Sequence, residues 1–108
     1  MASHKGSASV QENACGALMN LSTNDDNKIK IAATGGVEAI LAAMVAHKGS
    51  AGVQEKACGA LMNLSTNDDN KIKIAVAGGV EAILAAMATH KGSAGVHDKA
   101  CEALTSLQ

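Results

Sequence analysis

The chain has 108 residues, contains no Phe, Tyr, Trp, Pro or Arg, and carries a formal net charge of −1 at pH 7. This near-neutral charge gives no electrostatic footprint for nucleic acid or an anionic membrane surface, and without aromatic rings the chain lacks the usual platforms for stacking bases. No run of about 18 apolar residues is present to span a bilayer, and the N-terminus lacks the apolar stretch of a secretory signal, so we expect a cytoplasmic protein.

Alanine accounts for 22 of the 108 residues, and β-branched residues are few. This composition favours closely packed helices over β-sheets. A chain of this length forms one modest domain, because a core of this size leaves only a small net free energy of folding.

The sequence repeats. Residues 4–46 and 47–89 differ at six of 43 positions, and a third copy begins at His90 and continues to Gln108. A fixed period of this length is typical of stacked helical units, each of which buries its apolar side against its neighbours. The near identity of the copies indicates a recent duplication or a constructed sequence, and the partial third copy suggests a fragment.

The first predicted helix covers residues 8–22, with Ser7 as its N-cap. Its apolar face is predicted from the spacing of Val10, Ala14, Ala17, Leu18 and Leu21. The same pattern returns at residues 53–64 after Ser50 and at residues 96–107 after Ser93.

A short second helix is predicted to follow, because Asp25 and Asp26 would lie in its first turn, where the helix dipole favours negative charge. Residues 28–31 alternate polar and apolar and would suit a strand if taken alone. Their flanking helix signals favour a helix, with Ile29, Ala32 and Ala33 buried on one side and Ile31 on another.

Paired glycines then predict a corner at residues 35–36, and a helix of medium length follows it. Its apolar stripe is formed by Val37, Ile40, Leu41, Met44 and Val45. The link at residues 47–50 ends this helix and returns the chain to a long helix. Each period is therefore a short helix, a glycine corner, a medium helix, a tight turn and a long helix.

These features resemble the armadillo repeats. The resemblance rests on the three-helix period, on the Gly-Gly-Val corner at residues 35–37 and 78–80, and on the Ala-Cys-Gly-Ala-Leu-Met-Asn-Leu-Ser segments at residues 14–22 and 57–65. It covers nearly the whole chain.

The resemblance implies an all-α fold, a right-handed α-solenoid of armadillo-type three-helix repeats that forms a single domain over residues 1–108. In phase with the family, residues 8–22 would be the third helix of an incomplete repeat. Residues 24–66 and 67–108 would be two complete repeats.

Armadillo repeats bind extended peptides or partner proteins along a groove lined by their third helices. The resemblance implies that Asn20 and Asn63 occupy the position whose amide pairs with a ligand backbone, since an amide offers both a donor and an acceptor. The other groove candidates are Ser106, Glu12, Glu55, Lys56, Met19 and Met62, together with Asn13, Gly16 and Gly59.

The chain departs from the family at the groove. Where many peptide-binding members have Trp, it has Gly16, Gly59 and Glu102, so pockets for ligand side chains are lacking. In the last copy Thr105 replaces Met and Ser106 replaces Asn. Few backbone contacts would remain to offset the several kcal/mol that association costs.

Cysteine recurs at one phase of the repeat, as Cys15, Cys58 and Cys101. Helices packed about 10 Å apart would hold these thiols beyond disulfide reach, so we interpret all three as small buried hydrophobic residues. His4, His47 and His90 recur in the turns without a second ligand at helical spacing. We interpret them as exposed turn residues and predict no metal and no cofactor.

Catalysis is not predicted. His97 and Cys101 share a helix face and are the nearest approach to a catalytic cluster, but the equivalent residues Gln54 and Cys58 place the cysteine in the core pattern. The sequons at residues 20–22 and 63–65 lie in predicted helices of a chain without a secretory signal, so we do not expect glycosylation.

The leading interpretation is a non-catalytic protein-interaction scaffold that self-associates. An incomplete first repeat would leave apolar surface uncovered, and nearly identical copies should fit one another end to end. Such contacts would be heterologous unless copies exchange helices across the Gly49 or Gly92 turns into a domain-swapped dimer. The alternative is a natural peptide-recognition module that uses Asn20 and Asn63.

Overall fold

The computed structural model describes residues 7–108, and over this range the chain is helical without a strand. His4 therefore lies outside the described residues. The helices are α1 (Ala8–Leu21), α2 (Asp25–Ala33), α3 (Gly36–Ala46), α4 (Ala51–Leu64), α5 (Asp68–Val76), α6 (Gly79–Thr89) and α7 (Ala94–Ser106). The predicted all-α class is confirmed, and α2, α3 and α4 have close counterparts in α5, α6 and α7.

Polar side chains cap five of the seven helices in residues 7–108, and glycines precede α3 and α6. The backbone N–H of Val10 donates to the hydroxyl of Ser7 over 3.2 Å. Ser50 and Ser93 cap α4 and α7 in the same way. Asn24 and Asn67 cap the short helices α2 and α5, which carry two aspartates each in their first turns. Both the caps and the acidic residues offset the unpaired N–H groups of a helix start.

Residues 28–31 lie within α2, so the helical interpretation of this segment is confirmed. Its predicted burial is partly wrong, because Ile29 is 56% exposed and Ala33 is also exposed, while Ala32 is buried. The next short helix reaches α2 through polar groups: Asn70 Nδ2 donates to the Lys28 carbonyl over 3.0 Å, and Lys73 Nζ donates to the Ala32 carbonyl over 3.1 Å. Because α2 has only small contacts with its neighbouring helices, Ile29 stays exposed.

Each glycine corner needs both of its glycines. Gly35 and Gly78 have φ values of 89° and 96°, in the left-handed region that other residues rarely adopt. At Gly79 an added Cβ would lie 2.8 Å from the carbonyl oxygen of Ile74, and Gly36 is equally crowded by Ile31. The first glycine therefore permits the turn, and the second lets the helices approach.

The corners bend α2 against α3 by 71° and α5 against α6 by 68°. Among the described residues no single helix is long and apolar enough to cross a membrane, and the bent pairs α2–α3 and α5–α6 reach that length and composition only when their two helices are taken together.

The core centres on α4, which lies between α1 and α7 and also packs against α3. Its apolar side chains at Val53, Ala60, Leu61 and Leu64 have no exposed surface. The prediction for the equivalent face of α1 is wrong, because none of its five residues is buried. Val10 (36% exposed), Ala17 and Leu21 (52% exposed) are exposed, and Ala14 and Leu18 are half-buried. The physical reason is that α3 packs mainly against α4, whereas both α2 and α3 have only small contacts with α1.

The apolar stripe of α3 is confirmed in part. Val37, Ile40 and Met44 are buried, Leu41 is half-buried, and Val45 is 63% exposed. Gln54 fastens this helix to α4, because its Nε2 donates to the carbonyls of Met44 and His47 over 3.1 and 3.0 Å. These carbonyls belong to the end of α3, where helix carbonyls lack an intrahelical partner.

The last copy has His97 where the middle copy has Gln54. The Nε2 atom of His97 is buried and has no hydrogen-bond partner. A buried polar atom without a partner costs free energy that a paired one does not. The end of α6 therefore lacks the fastening that Gln54 gives to α3.

Substitution of the corner glycines should be costly. We expect Gly78→Ala to lower the free energy of unfolding by about 1–2 kcal/mol, because a Cβ disfavours the left-handed conformation. Gly79→Ala should cost at least as much through overlap with the Ile74 carbonyl. The control is Gly92→Ala, where an added Cβ meets nothing within 4 Å. Urea titration measures all three, and equal stability of Gly78→Ala and Gly92→Ala would contradict this account.

Replacement of the unpaired imidazole should stabilise the chain. We expect His97→Gln to raise the free energy of unfolding by about 1–2 kcal/mol, because a glutamine can donate as Gln54 does and no unpaired ring nitrogen remains. The reverse change, Gln54→His, should destabilise the protein. Thermal unfolding followed by circular dichroism measures both, and a His97→Gln variant that melts no higher than the parent chain would refute the argument.

Candidate functional site

The predicted groove residues meet where the long helices α1, α4 and α7 pack side by side. Met19 of α1 lies against Gly59 of α4, and an added Cβ at Gly59 would be 3.2 Å from the Met19 Cγ. The aliphatic stem of Lys56 lies over Gly16, with Lys56 Cδ 3.7 Å from the position of an added Cβ. These side chains therefore contribute to contacts between helices as well as to the surface.

Two predicted groove carboxylates lie at helix starts. Glu12 packs against Gly52, with its Cδ 2.6 Å from the position of an added Cβ, and Glu55 packs against Gly95 in the same way. Neither α4 nor α7 has an acidic residue in its own first turn. The preceding long helix thus supplies a carboxylate to the N-terminal end of each of these helices, where the helix dipole favours negative charge.

The amide nitrogen of Asn63 is already engaged. It donates to the carbonyl of Met19 over 2.8 Å, and the Ser106 hydroxyl donates to the carbonyl of Met62 over 3.3 Å. Both carbonyls lie in the last turn of a long helix, where carbonyls lack an intrahelical partner, and they also accept from the Ser22 and Ser65 hydroxyls. Asn20 occupies the same position in α1 and is exposed. Peptide pairing by these residues stays a prediction.

A histidine contact that sequence reasoning missed also joins successive copies. His90 Nε2 lies 2.8 Å from the carbonyl of Lys48. His47 and His90 are the C-caps of α3 and α6, and both are half-buried rather than exposed as expected. Their recurrence once per period was the available signal, because a side chain at a fixed repeat position can contact the previous copy.

The surface around α7 is mildly acidic. A shallow cleft of about 540 Å³ is lined by Glu55, Gly95, Asp98, Lys99, Cys101 and Glu102. Lys99 and Glu102 approach within 3.7 Å, and both are partly exposed, so this ion pair contributes little. A second cleft of about 210 Å³ between α3 and α6 is lined mainly by alanine, methionine and valine, without a His, Cys, Asp or Glu side chain.

Two of the three cysteines are core residues as predicted. Cys15 and Cys58 have no exposed surface, and burial raises the pKa of Cys15 to about 11 and that of Cys58 to about 12. The prediction is wrong for Cys101, which is exposed because no further long helix covers that face of α7 within the described residues. All three are free thiols.

The structure does not assemble a catalytic or metal site from His97 and Cys101. The buried Nε2 of His97 has no hydrogen-bond partner, so the exposed thiol of Cys101 does not pair with it. Over residues 7–108 no group of three or more His, Cys, Asp or Glu side chains is arranged to hold a metal ion.

Comparison with known families decides the identity of this helical array. The family model for the LRRK2 ARM repeat matches residues 1–108. The chain belongs to this armadillo repeat family. The predicted resemblance to armadillo repeats is thereby confirmed. Comparison with curated proteins and with solved structures finds no match in either set.

Membership of the armadillo family supports the coarse function predicted from the sequence. Armadillo repeats generally serve as non-catalytic scaffolds for protein interaction.

The thiols of this armadillo chain should differ sharply in reactivity. At pH 8 we expect Cys101 to react promptly with an aromatic disulfide reagent, because it is exposed. Cys15 and Cys58 should react only after unfolding, since burial and raised pKa values suppress their thiolates. The measurement is the number of protein thiols that react before and after urea is added, with Cys101→Ser as the control. Two or more prompt thiols in the folded chain would contradict the burial described.

Proposed function

We propose that the chain is a non-catalytic protein-interaction scaffold that acts by self-association. Its armadillo units would stack as a right-handed α-solenoid of three-helix repeats, and the interacting surfaces would be the outer faces of α1 and α7. Membership of a family whose repeats mediate protein interaction supports the scaffold role.

One observation carries the proposal: equivalent residues differ in exposure along the array. Ala60 of α4 is fully buried, whereas the equivalent Ala17 of α1 is exposed. Cys15 and Cys58 are fully buried, whereas the equivalent Cys101 of α7 is exposed. The exposed face of α1 is thus equivalent to the face of α4 that packs on α1, and the exposed face of α7 is equivalent to the face of α4 that packs on α7. A second copy carries both of these complementary faces.

Two modes of association can use these faces. Direct stacking of α7 on α1 would be heterologous and would lead to a ring or a fibre. Alternatively, copies could exchange helices across the turns at Gly49 or Gly92, where an added Cβ would meet nothing within 4 Å. Exchange would give a closed dimer whose contacts match those inside one chain.

Peptide recognition is the second candidate, and the exposed Asn20 favours it. The amide of Asn63 donates through its nitrogen, which leaves its oxygen to accept a hydrogen bond from a peptide. The glycines at positions 16 and 59 provide no side-chain pocket walls, so affinity would depend on backbone contacts.

The mass in solution tests self-association. Light scattering over a wide concentration range should give a mass that rises to a multiple of 10.8 kDa. Ala17→Glu should weaken association, because it places a charge on the outer face of α1. Ala42→Glu is the matched control on an exposed position of α3. A folded protein that remains a monomer throughout would contradict the proposal.

The same preparations separate the two candidates. Replacing Asn20 and Asn63 by alanine should leave the solution mass unchanged if association uses apolar faces, and it should abolish capture of extended peptides if recognition is correct. Equal capture by the parent and the double variant would contradict recognition by these amides.

A further inference from the structure

The contacts between long helices keep one register, and this register occurs twice in the chain. Glu12 of α1 meets Gly52 of α4, and 43 residues later Glu55 of α4 meets Gly95 of α7. These two helix pairs also form the most extensive helix contacts in the structure. The register of the long helices therefore determines how successive copies stack.

A second contact follows the same spacing. Lys56 covers Gly16 in the first pair, and Lys99 covers Gly59 in the second, each with Cδ 3.7 Å from the position of an added Cβ. In both contacts a long side chain faces a glycine. Volume is thus balanced across the interface, as close packing requires.

On the outer faces of α7 and α1, some residues differ from their equivalents in the internal contacts, and these differences match one another. In the same register, α7 of one copy would place Asp98 against Ser9 of the next copy, where the internal pairs have Glu against Gly. The carboxylate side chain is shorter by one methylene, and the opposing residue is larger. The two changes compensate in volume.

The next pair shows the same compensation. Glu102 of one copy would face Asn13 of the next, where the internal pairs have Gly against Lys. One side chain becomes longer while the opposing one becomes shorter. Ser9 and Asn13 are two of the six positions at which the first two copies differ. Both lie on the exposed face of α1.

Polar groups in this register are complementary as well. The first turn of α1 contains no acidic residue, and Asp98 of the neighbouring copy would supply the carboxylate that Glu12 supplies to α4. The exposed Asn20 would donate to the Thr105 carbonyl of that copy, as Asn63 donates to the Met19 carbonyl. The Thr105 carbonyl already accepts from the backbone N–H of Gln108 over 3.3 Å, and its second lone pair is available to Asn20.

From this complementarity we propose that α7 of one copy packs on α1 of another in the register that α4 uses on α1, so that copies stack head to tail. The inference rests on the proposed self-association and specifies its geometry. The contact covers Ala17 of one copy and Cys101 of the other. It also makes the association heterologous, since each copy offers a different face at each end.

Disulfide trapping between two separately prepared chains tests the register, with Cys101→Ser in both backgrounds. One chain carries Gly16→Cys and the other Thr105→Cys, which correspond to the internal contact of Gly59 with Met19. Mixing them under mild oxidation should give a covalent dimer on the order of tenfold faster than mixing Gly16→Cys with Glu81→Cys, an exposed control on α6. Circular dichroism checks folding, and Ser9→Cys with Asp98→Cys provides an independent pair.

The outcomes separate the register from self-association itself. Selective trapping of both mixed pairs supports the proposal. Association in light scattering together with equal trapping of the control, or with faster Gly16→Cys homodimers, would overturn the head-to-tail register and leave self-association standing. A strict monomer without selective trapping would overturn both.

Discussion

The structure depends on close approach of the long helices, which is possible because glycine lies at the contact points. Gly52, Gly59 and Gly95 leave the space that the side chains of Glu12, Met19 and Glu55 occupy. Close approach also brings Asn63 within hydrogen-bonding distance of a carbonyl at the end of α1. The chain has no aromatic residue to fill a core, so its packing relies on alanine, glycine and short aliphatic side chains at these contacts.

Local structure could be predicted because its causes are local. The caps at Ser7, Ser50 and Ser93 need only a hydroxyl before an apolar periodic segment. The corner at Gly35 needs only a residue that tolerates positive φ. The signals that flank the alternating segment at residues 28–31 predict a helix, and this segment lies within α2.

Environment could not be predicted in the same way, since identical positions have different neighbours. Cys58 and Cys101 occupy equivalent places in the repeat, yet one is fully buried and the other exposed. Val10 and Val53 differ for the same reason. The hydrogen bond of Asn63 depends on where the neighbouring helix α1 ends relative to α4, and the sequence period does not specify this position. A repeated sequence therefore defines one kind of interface, whereas the exposure of each equivalent residue depends on the helices that lie beside it.

Hydrogen exchange tests the central claim, that long-helix stacking holds the chain together and continues between copies. Measured by mass spectrometry at low and high protein concentration, exchange should be slowest in α4 under both conditions, because α4 is enclosed on both sides. Exchange in α1 and α7 should slow as the concentration rises, while exchange in α2 and α5 should change little. The account would be contradicted if the exchange rates of α1 and α7 did not change between the two concentrations. It would also be contradicted if α4 exchanged as fast as α2.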